Sequence, residues 1–300
     1  MNSTYTGSTA PPVSGRRLAI GALAAVGALW SLAGVLIKLL PWPPLAIWSV
    51  RAAIAAVTLI ASARPSWRGL SRHEWAAASA LAATTALFIA ANKYTTAANA
   101  ILIQYSSPAW VALLGAMVLG ERASRVDWLT IAGALVGVTL FFFERLTFDH
   151  TAGNLLALAA GVAFAAHAVL LRRLALLGLP TLRAVTLGHV MAAVLGAPAV
   201  LGAGALPWSA LLALLALGVL QQAVPGLLYA WAIRRVTALE GMLIPTIEPV
   251  LSPMWVWLAF REAPSGWALV GGALVLAVVT ARAVVALRVP PRYPARLSAA

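Results

Sequence analysis

Long apolar segments alternate with short polar connections along almost the whole chain. Each segment is roughly 17–25 residues long, which is the length that an α-helix needs to cross a hydrocarbon core about 30 Å thick. Prolines or charged residues punctuate the connections. The pattern predicts an all-α integral membrane protein with ten transmembrane helices, at residues 18–40, 44–62, 75–93, 96–119, 127–143, 153–171, 181–202, 209–233, 237–260 and 265–287.

The composition leaves too few polar residues to cover a water-exposed surface. Hydrophobic residues make up 62% of the chain and charged residues only 10%, whereas soluble domains carry about 25% charged residues. A net charge of +13 would indicate nucleic-acid binding in a soluble protein, but here the basic residues lie between apolar segments. We therefore expect a lipid bilayer as partner and no nucleic acid. The absence of cysteine excludes a disulfide framework, thiol catalysis and cysteine metal ligands.

The positions of the arginines predict the orientation of the chain. Arg16 and Arg17 precede the first helix, and most other basic residues fall in connections that ten helices place on the same side. Because basic connections stay in the cytoplasm, both termini of this multi-pass protein are predicted to be cytoplasmic. Residues 1–15 are predicted to form a disordered tail and residues 289–300 a second cytoplasmic tail.

The two halves of the chain share a pattern of residues. At a spacing of 141 residues, the fourth helix and the turn after it match the ninth: Thr96, Ala97, Leu102, Ile103, Pro108, Glu121 and Ser124 correspond to Thr237, Ala238, Leu243, Ile244, Pro249, Glu262 and Ser265. At a spacing of 134 residues, Gly27 of the first helix matches Gly161 of the sixth. This predicts two five-helix repeats, at 16–146 and 147–288. Because five is odd, the second repeat would enter the membrane inverted, an arrangement typical of secondary transporters.

These segments also resemble a known family. The first copy contains Lys93–Ala100, Ile101–Pro108 and Leu119-Gly120-Glu121-Arg122, and the second contains Thr237–Gly241, Ile247-Glu248-Pro249 and Arg261-Glu262. They are similar to the drug/metabolite transporter (DMT) superfamily, specifically its EamA-type ten-helix exporters, and among those to amino-acid exporters of the YddG type. The resemblance implies a central cavity between inverted halves, alternating access, and export of small metabolites across a bacterial inner membrane. The second copy departs from the family pattern at Arg261, where glycine is usual.

Glu248 is the strongest candidate for a functional residue. It lies near the middle of the ninth predicted helix, whereas the other acids lie near helix ends or in connections. Acidic residues inside a membrane are costly and usually face a cavity or a partner. Glu248 is therefore predicted to bind a substrate ammonium or to titrate during transport. The alternative is a neutral, hydrogen-bonded structural acid.

Other polar and aromatic residues are predicted to line the same substrate cavity. On the fourth helix these are Gln104, Tyr105, Ser106 and Ser107, of which Ser107 corresponds to Glu248; elsewhere they are Gln221, Gln222, His167, Trp30, Trp110 and Trp255. Aromatic rings offer stacking and cation–π surfaces. Pro108, Pro249 and Pro225 are predicted to break their helices and free carbonyls one turn earlier. For all of these residues, ordinary helix packing is the alternative.

No motif for catalysis, nucleotide hydrolysis or metal binding is present. The chain lacks a phosphate-binding G-x-x-x-x-G-K-[ST] loop, an HExxH pair and a nucleophile elbow. We therefore predict no enzyme activity, no catalytic residues, no cofactor and no metal.

The predicted function is export of aromatic or neutral amino acids, or similar small amphiphilic metabolites, with protons as a candidate coupling partner. The alternatives are export of other metabolites or drugs, or an intramembrane enzyme acting on lipid-borne substrates. The oligomeric state stays open.

Overall fold

The computed structural model describes residues 13–146, 150–261 and 265–288. Glu262 and most of the two predicted tails lie outside these ranges. The described residues contain ten helices long and apolar enough to cross a membrane: α1 Gly15–Lys38, α2 Pro44–Ala63, α3 Arg72–Tyr94, α4 Ala97–Val118, α5 Arg125–Phe142, α6 Thr151–Leu176, α7 Thr181–Val200, α8 Ala210–Ala232, α9 Ala238–Ala259 and α10 Gly266–Arg288. The predicted all-α membrane fold and its ten helices are thus confirmed.

Two helices differ in length from the prediction for a local physical reason. α3 begins at Arg72 rather than at 75 because Ser71 and Glu74 form a capping box that satisfies its first amides. α6 continues to Leu176, past the predicted end at 171. Arg172 does not end the helix, since its guanidinium is buried and paired with a carboxylate, as described below.

Four of the ten helices are interrupted. Three of these helices extend one or two residues beyond the membrane-spanning ranges given above. The segments are Val13–Trp30 and Ala33–Lys38 in α1; Ala97–Gln104 and Ser107–Val118 in α4; Trp208–Gly218, a π-helix at Val219–Ala223 and Val224–Ala232 in α8; and Ala238–Leu243, a 3₁₀ turn at Ile244–Ile247 and Glu248–Phe260 in α9. Pro108, Pro225 and Pro249 are each the second residue of a resumed segment. A proline is tolerated in a first turn because the amide that it lacks would have no partner there.

The helices pack through small residues and leave an apolar outer surface. α3 packs along α6 and α7, α2 along α7, and α5 along α10. A β-carbon on Gly137 of α5 would stand 2.7 Å from Val275 Cγ2 of α10, so the glycine permits this close contact. Large apolar side chains such as Met117, Leu129 and Leu212 are exposed. In a ten-helix membrane protein, this surface faces lipid tails.

Gly27 provides a test of the packing between α1 and the 3₁₀ turn of α9. A β-carbon there would stand 2.6 Å from Ile247 Cγ2 and 2.7 Å from the Pro245 carbonyl oxygen. Gly27→Val is therefore expected to lower the melting temperature of the detergent-solubilised protein by several degrees, since overpacking costs about 1–3 kcal/mol. Gly21→Val is the matched control on the same helix, because its β-carbon meets nothing within 4 Å. Equal melting temperatures for the two variants would contradict this contact.

Three helices start with the same capping arrangement at one end of the bundle. In α3, α5 and α9 a serine or threonine side chain accepts a hydrogen bond from the third helical amide, and the acid at that position accepts one from the N-cap amide. The three pairs are Ser71 with Glu74, Ser124 with Asp127, and Thr237 with Glu240. Capping fixes each acid at a helix N-terminus, where the helix dipole also favours negative charge.

Arginines from the opposite half of the chain pair with these acids. Arg16 Nη2 lies 2.6 Å from Glu240 Oε1, and Arg282 Nε lies 2.6 Å from Asp127 Oδ1. Arg282 Nη2 also reaches Glu240 Oε1 at 3.3 Å, so one chain of contacts joins all four residues. We call the end of the bundle that holds these residues the charged end.

Two further ion pairs tie the halves together at the charged end. Arg183 donates to both oxygens of Glu74. Arg172 Nε lies 2.9 Å from Glu121 Oε1, and the other Glu121 oxygen accepts a 2.8 Å hydrogen bond from the Ala238 amide at the start of α9. The ion pairs Arg16–Glu240, Arg172–Glu121, Arg183–Glu74 and Arg282–Asp127 each join a residue before 147 to a residue after it, whereas Arg282 and Glu240 both belong to the second half.

Candidate functional site

A central cavity of about 560 Å³ lies between helices from both halves. Exposed residues at the ends of α1 and α3 and just after α5 border its mouth: Lys38, Asn92 and Glu144. These ends are opposite the charged end, because α1, α3 and α5 each begin at the charged end and finish at the mouth. The cavity volume falls within the roughly 300–1,000 Å³ range of small-molecule sites.

The helix breaks bring Glu248 and Tyr105 together in this cavity. Tyr105 follows the first segment of α4, and Glu248 is the first residue of the second segment of α9. The Tyr105 hydroxyl donates a 3.2 Å hydrogen bond to Glu248 Oε2. Glu248 is half-buried and sits at the positive end of a 13-residue helix, which stabilises a carboxylate there. Among the described residues it is the one acid of the cavity away from its mouth.

Three other predicted residues also line the central cavity. Gln104 precedes the break in α4, and Pro249 follows Glu248. Ser107, the repeat counterpart of Glu248, begins the second segment of α4 just as Glu248 begins that of α9. The Ser107 hydroxyl is buried against Met242 Sδ at 3.5 Å. The breaks therefore place matching residues of the two halves in one cavity.

Aromatic rings form the apolar wall of the cavity. Trp30 of α1 and Phe164 of α6 lie with ring centroids 5.9 Å apart at an interplanar angle of 58°. Phe88, Phe141 and Phe142 also line the cavity. Of these five residues, the sequence predicted only Trp30. The phenylalanines carry no local signal, because an aromatic ring on an apolar helix is equally consistent with contact with lipid or with another helix.

The remaining predicted residues lie outside the central cavity. On α4, the Trp110 indole donates to Ser106 Oγ at 3.2 Å, so the two side chains satisfy each other. The Trp255 indole donates to Ser31 Oγ at 2.8 Å, which joins α9 to the break in α1. Pro108 is buried within α4.

A second group of predicted residues clusters around α8. Gln221 and Gln222 both belong to the π-helix that precedes Pro225, and Gln222 Nε2 donates to Gln221 Oε1 at 2.8 Å. His167 of α6 is buried, and its Nδ1 lies 2.8 Å from the Ala77 carbonyl oxygen. Because a carbonyl can only accept, Nδ1 carries the proton. His167 and Gln222 line a second, smaller cavity.

The site contains no cluster suited to a metal ion. Across the described ranges, no three His, Cys, Asp or Glu side chains are placed to hold one. The chemistry available in the central cavity is instead the Glu248 carboxylate, several hydroxyl and amide groups, and a wall of aromatic rings, with Lys38 and Glu144 at the mouth. This combination suits reversible binding of a small amphiphilic molecule.

Comparisons with known proteins identify a transporter family and a solved structure with the same fold. The sequence model of the EamA-like transporter family matches residues 17–143 and again residues 151–281. An uncharacterized transporter of Archaeoglobus fulgidus is 28% identical over 200 residues, which are 65% of this chain and 70% of that protein. A solved crystal structure superposes with a TM-score of 0.76 over 90% of this chain and 98% of its own, at 24% sequence identity, which establishes the shared fold.

Proposed function

Since this chain belongs to the EamA-like transporter family, we propose that it exports aromatic or neutral amino acids, or small metabolites of the same amphiphilic character. The main observation behind this proposal is that the Glu248 carboxylate and several aromatic rings line the same cavity. The family assignment points to transport of a small molecule across a bilayer rather than to catalysis.

The two parts of the cavity complement the two parts of an amino acid. The Glu248 carboxylate offers a partner for an ammonium group, and a charge-assisted hydrogen bond in a largely buried site is worth about 1.5–3 kcal/mol. Trp30 and Phe164 offer aromatic surface for an apolar or aromatic side chain. Lys38 is the cavity's one basic residue within the described part of the chain, and it lies at the mouth. Strongly anionic solutes such as nucleotide sugars therefore fit less well.

Alternating access between two inverted halves is the transport mechanism that we propose. The cavity is open at one end, and the cross-half ion pairs close the other. Gly27 and Gly161, at matching positions of the halves, each touch a broken helix: Gly27 faces the break in α9 and Gly161 the break in α4. Equivalent contacts are what two inverted repeats would produce, so they support the proposed symmetry.

The arginine distribution supports a plasma-membrane orientation with the charged end in the cytoplasm. Arg16, Arg172, Arg183 and Arg282 all lie at the charged end, and basic residues concentrate on the cytoplasmic side of membrane proteins. In that orientation the mouth of the cavity faces the exterior. A conformation with an open mouth and a closed charged end is then the one that releases an exported solute outside the cell.

The test is uptake of radiolabelled solutes into proteoliposomes, with and without an imposed pH gradient. Saturable uptake of aromatic or neutral amino acids is expected, with no uptake of nucleotide sugars. Liposomes without protein, and liposomes with a Glu248→Gln/Trp30→Ala double variant that removes both parts of the site, serve as controls. If correctly inserted protein transports nucleotide sugars or lipophilic drugs and no amino acid, the proposed substrate class is wrong. The response to the gradient reports whether protons are coupled.

A further inference from the structure

A second, smaller cavity lies directly behind the aromatic wall of the central cavity. Its volume is about 50 Å³, and α1, α3, α6, α7 and α8 enclose it. Trp30 and Phe164 line both cavities, so these two rings form the partition between them. We call the smaller cavity the inner chamber, defined by Trp30, Phe164, His167, His189, Gln222 and Tyr229.

The inner chamber lies between the central cavity and the charged end. Along α6, its residue His167 falls between Phe164, at the partition, and Arg172, which pairs with Glu121 at the charged end. On α8, Tyr229 lies one turn before Ile233, whose carbonyl oxygen accepts a 3.1 Å hydrogen bond from Arg172 Nη1. A solute that left the central cavity toward the charged end would therefore pass this chamber.

Four polar side chains, those of His167, His189, Gln222 and Tyr229, line the chamber beside apolar ones such as Leu81 and Val185. His167, His189 and Tyr229 are 3%, 5% and 4% exposed. The Tyr229 hydroxyl has no hydrogen-bond partner among the described residues, and in the same part of the chain no hydrogen bond reaches the His189 imidazole. A buried polar group left without a partner costs about 1–3 kcal/mol. Such groups persist where they are hydrated or serve a ligand.

The chamber is large enough to be hydrated. A buried water molecule needs about 10–15 Å³ of accessible space and at least two polar neighbours. The inner chamber offers about 50 Å³, together with a phenol, two imidazoles and an amide. The unprotonated Nε2 of His167 is a hydrogen-bond acceptor, because Nδ1 is committed to the Ala77 carbonyl. Both donors and acceptors are therefore available to a polar guest.

The backbone of α8 is widened beside the chamber. The π-helix at Val219–Ala223 inserts an extra residue into the helix, and the Val224 amide bonds to the Val219 carbonyl five residues earlier. Such insertions frequently occur at functional sites. Here the π-helix contributes Gln222 to the lining, and Gly226 also lines the chamber, where a β-carbon would stand 3.2 Å from Val185 Cγ1 and 3.9 Å from His189 Nε2. The local geometry thus maintains space that straight α-helices would fill.

We propose that the inner chamber is the inner half of the solute path. It is a hydrated binding site that Trp30 and Phe164 separate from the central cavity. When the charged end opens, it binds the hydrogen-bonding groups of a zwitterionic or hydroxyl-bearing solute. This inference rests on the proposed transport function. It adds a second binding position and assigns Trp30 and Phe164 as the partition that a solute must displace.

Because the chain contains no cysteine, single introduced thiols report access to the chamber without any knowledge of the substrate. Gln222→Cys places a thiol in the chamber, Ser107→Cys places one in the central cavity, and Ala165→Cys places one in the packed core, at a position that is 0% exposed. Each is treated with a membrane-impermeant methanethiosulfonate cation, which forms a mixed disulfide and releases methanesulfinate. Right-side-out and inverted vesicles expose opposite faces.

The thiol at 222 is expected to react from the face that carries the charged end, at least tenfold faster than the thiol at 165. The thiol at 107 is expected to react from the opposite face. A rate at 222 equal to that at 165 from both faces would show that the chamber is a packing void and overturn the proposal. Reaction at 222 only from the face of the mouth would show that the chamber is an extension of the central cavity, and this result would also overturn the proposal.

The thiol-reactivity experiment tests the inner chamber independently of the proposed substrate class. Wild-type uptake of amino acids together with an unreactive thiol at 222 would remove the inner chamber and leave the transport proposal intact. A reactive thiol at 222 in a protein that takes up no amino acid would keep the path and reject the substrate class.

Discussion

Replacing Glu248 by glutamine is expected to raise the apparent KM for a neutral amino acid by at least about tenfold and to abolish any response of uptake to a pH gradient. Glutamine preserves the size of the side chain and an oxygen that can accept from the Tyr105 hydroxyl, now 3.2 Å away. It removes the negative charge and the titration. A lost charge-assisted hydrogen bond worth about 1.5–3 kcal/mol corresponds to roughly 10- to 150-fold in affinity.

Two further variants separate the charge of Glu248 from its surroundings. Tyr105→Phe removes the hydrogen bond to the carboxylate while keeping the charge, so its effect is expected to be smaller than that of Glu248→Gln. Glu144→Gln removes an exposed charge at the mouth of the same cavity, where water and salt screen it. Its expected change in KM is less than about twofold. Initial rates in proteoliposomes, measured against substrate concentration at several pH values, give all three comparisons.

One result would contradict a role of Glu248 in binding and coupling. A Glu248→Gln protein with wild-type KM and wild-type pH response would show that the carboxylate neither binds the substrate nor couples protons. Glu248 would then be a structural acid that holds the break of α9 against that of α4 through Tyr105. The melting temperature would fall in that case while transport kinetics stayed the same.

The architecture could be predicted from the sequence because membrane crossing is a local property. Segment length and apolar character fixed the ten helices, and prolines at 108, 225 and 249 mark three of the four interruptions. The interruption in α1 follows no proline. It lies at Ser31, whose hydroxyl bonds back to the Ala28 carbonyl at 2.6 Å. A serine that hydrogen-bonds to its own helix can bend it, but the same residue stays inside many straight helices.

The partners of the arginines could not be predicted, because pairing joins residues far apart in the chain. Arg16 and Glu240 are 224 residues apart, and nothing in the local pattern around Arg16 points to Glu240. From the sequence alone, these arginines indicate only the orientation of the chain.

The direction of a side chain on its helix also could not be predicted. Trp110 and Trp255 were candidates for the cavity on residue type, but each indole points to a serine outside the cavity lining. Side-chain direction depends on the rotation of each helix about its axis, which neighbouring helices determine.

The largest effect on conformation is expected from Glu240, the residue that contacts two arginines of the charged end, Arg16 and Arg282. Arg16 contacts its two oxygens at 3.0 and 2.6 Å, and Arg282 lies 3.3 Å from one of them. Glu240→Gln keeps the capping box but removes the carboxylate that Arg16 and Arg282 share, while Arg282 keeps its contact with Asp127. Removing one partner of a buried ion pair costs about 3–5 kcal/mol. We expect the melting temperature to fall by at least about 5 °C.

This loss should fall on the conformation that is closed at the charged end, because the broken contact between Arg16 and Glu240 joins the two halves there. A thiol at 222 is therefore expected to react several times faster from that face in the Glu240→Gln background. Adding Arg16→Met removes the guanidinium that Glu240 neutralised and should recover more than half of the lost melting temperature, since coupled residues are not additive. Arg125→Gln, which removes an exposed charge at the same end, should change neither readout. A fall in melting temperature without any change in thiol reactivity would mean that these ion pairs stabilise the fold and do not act as the gate.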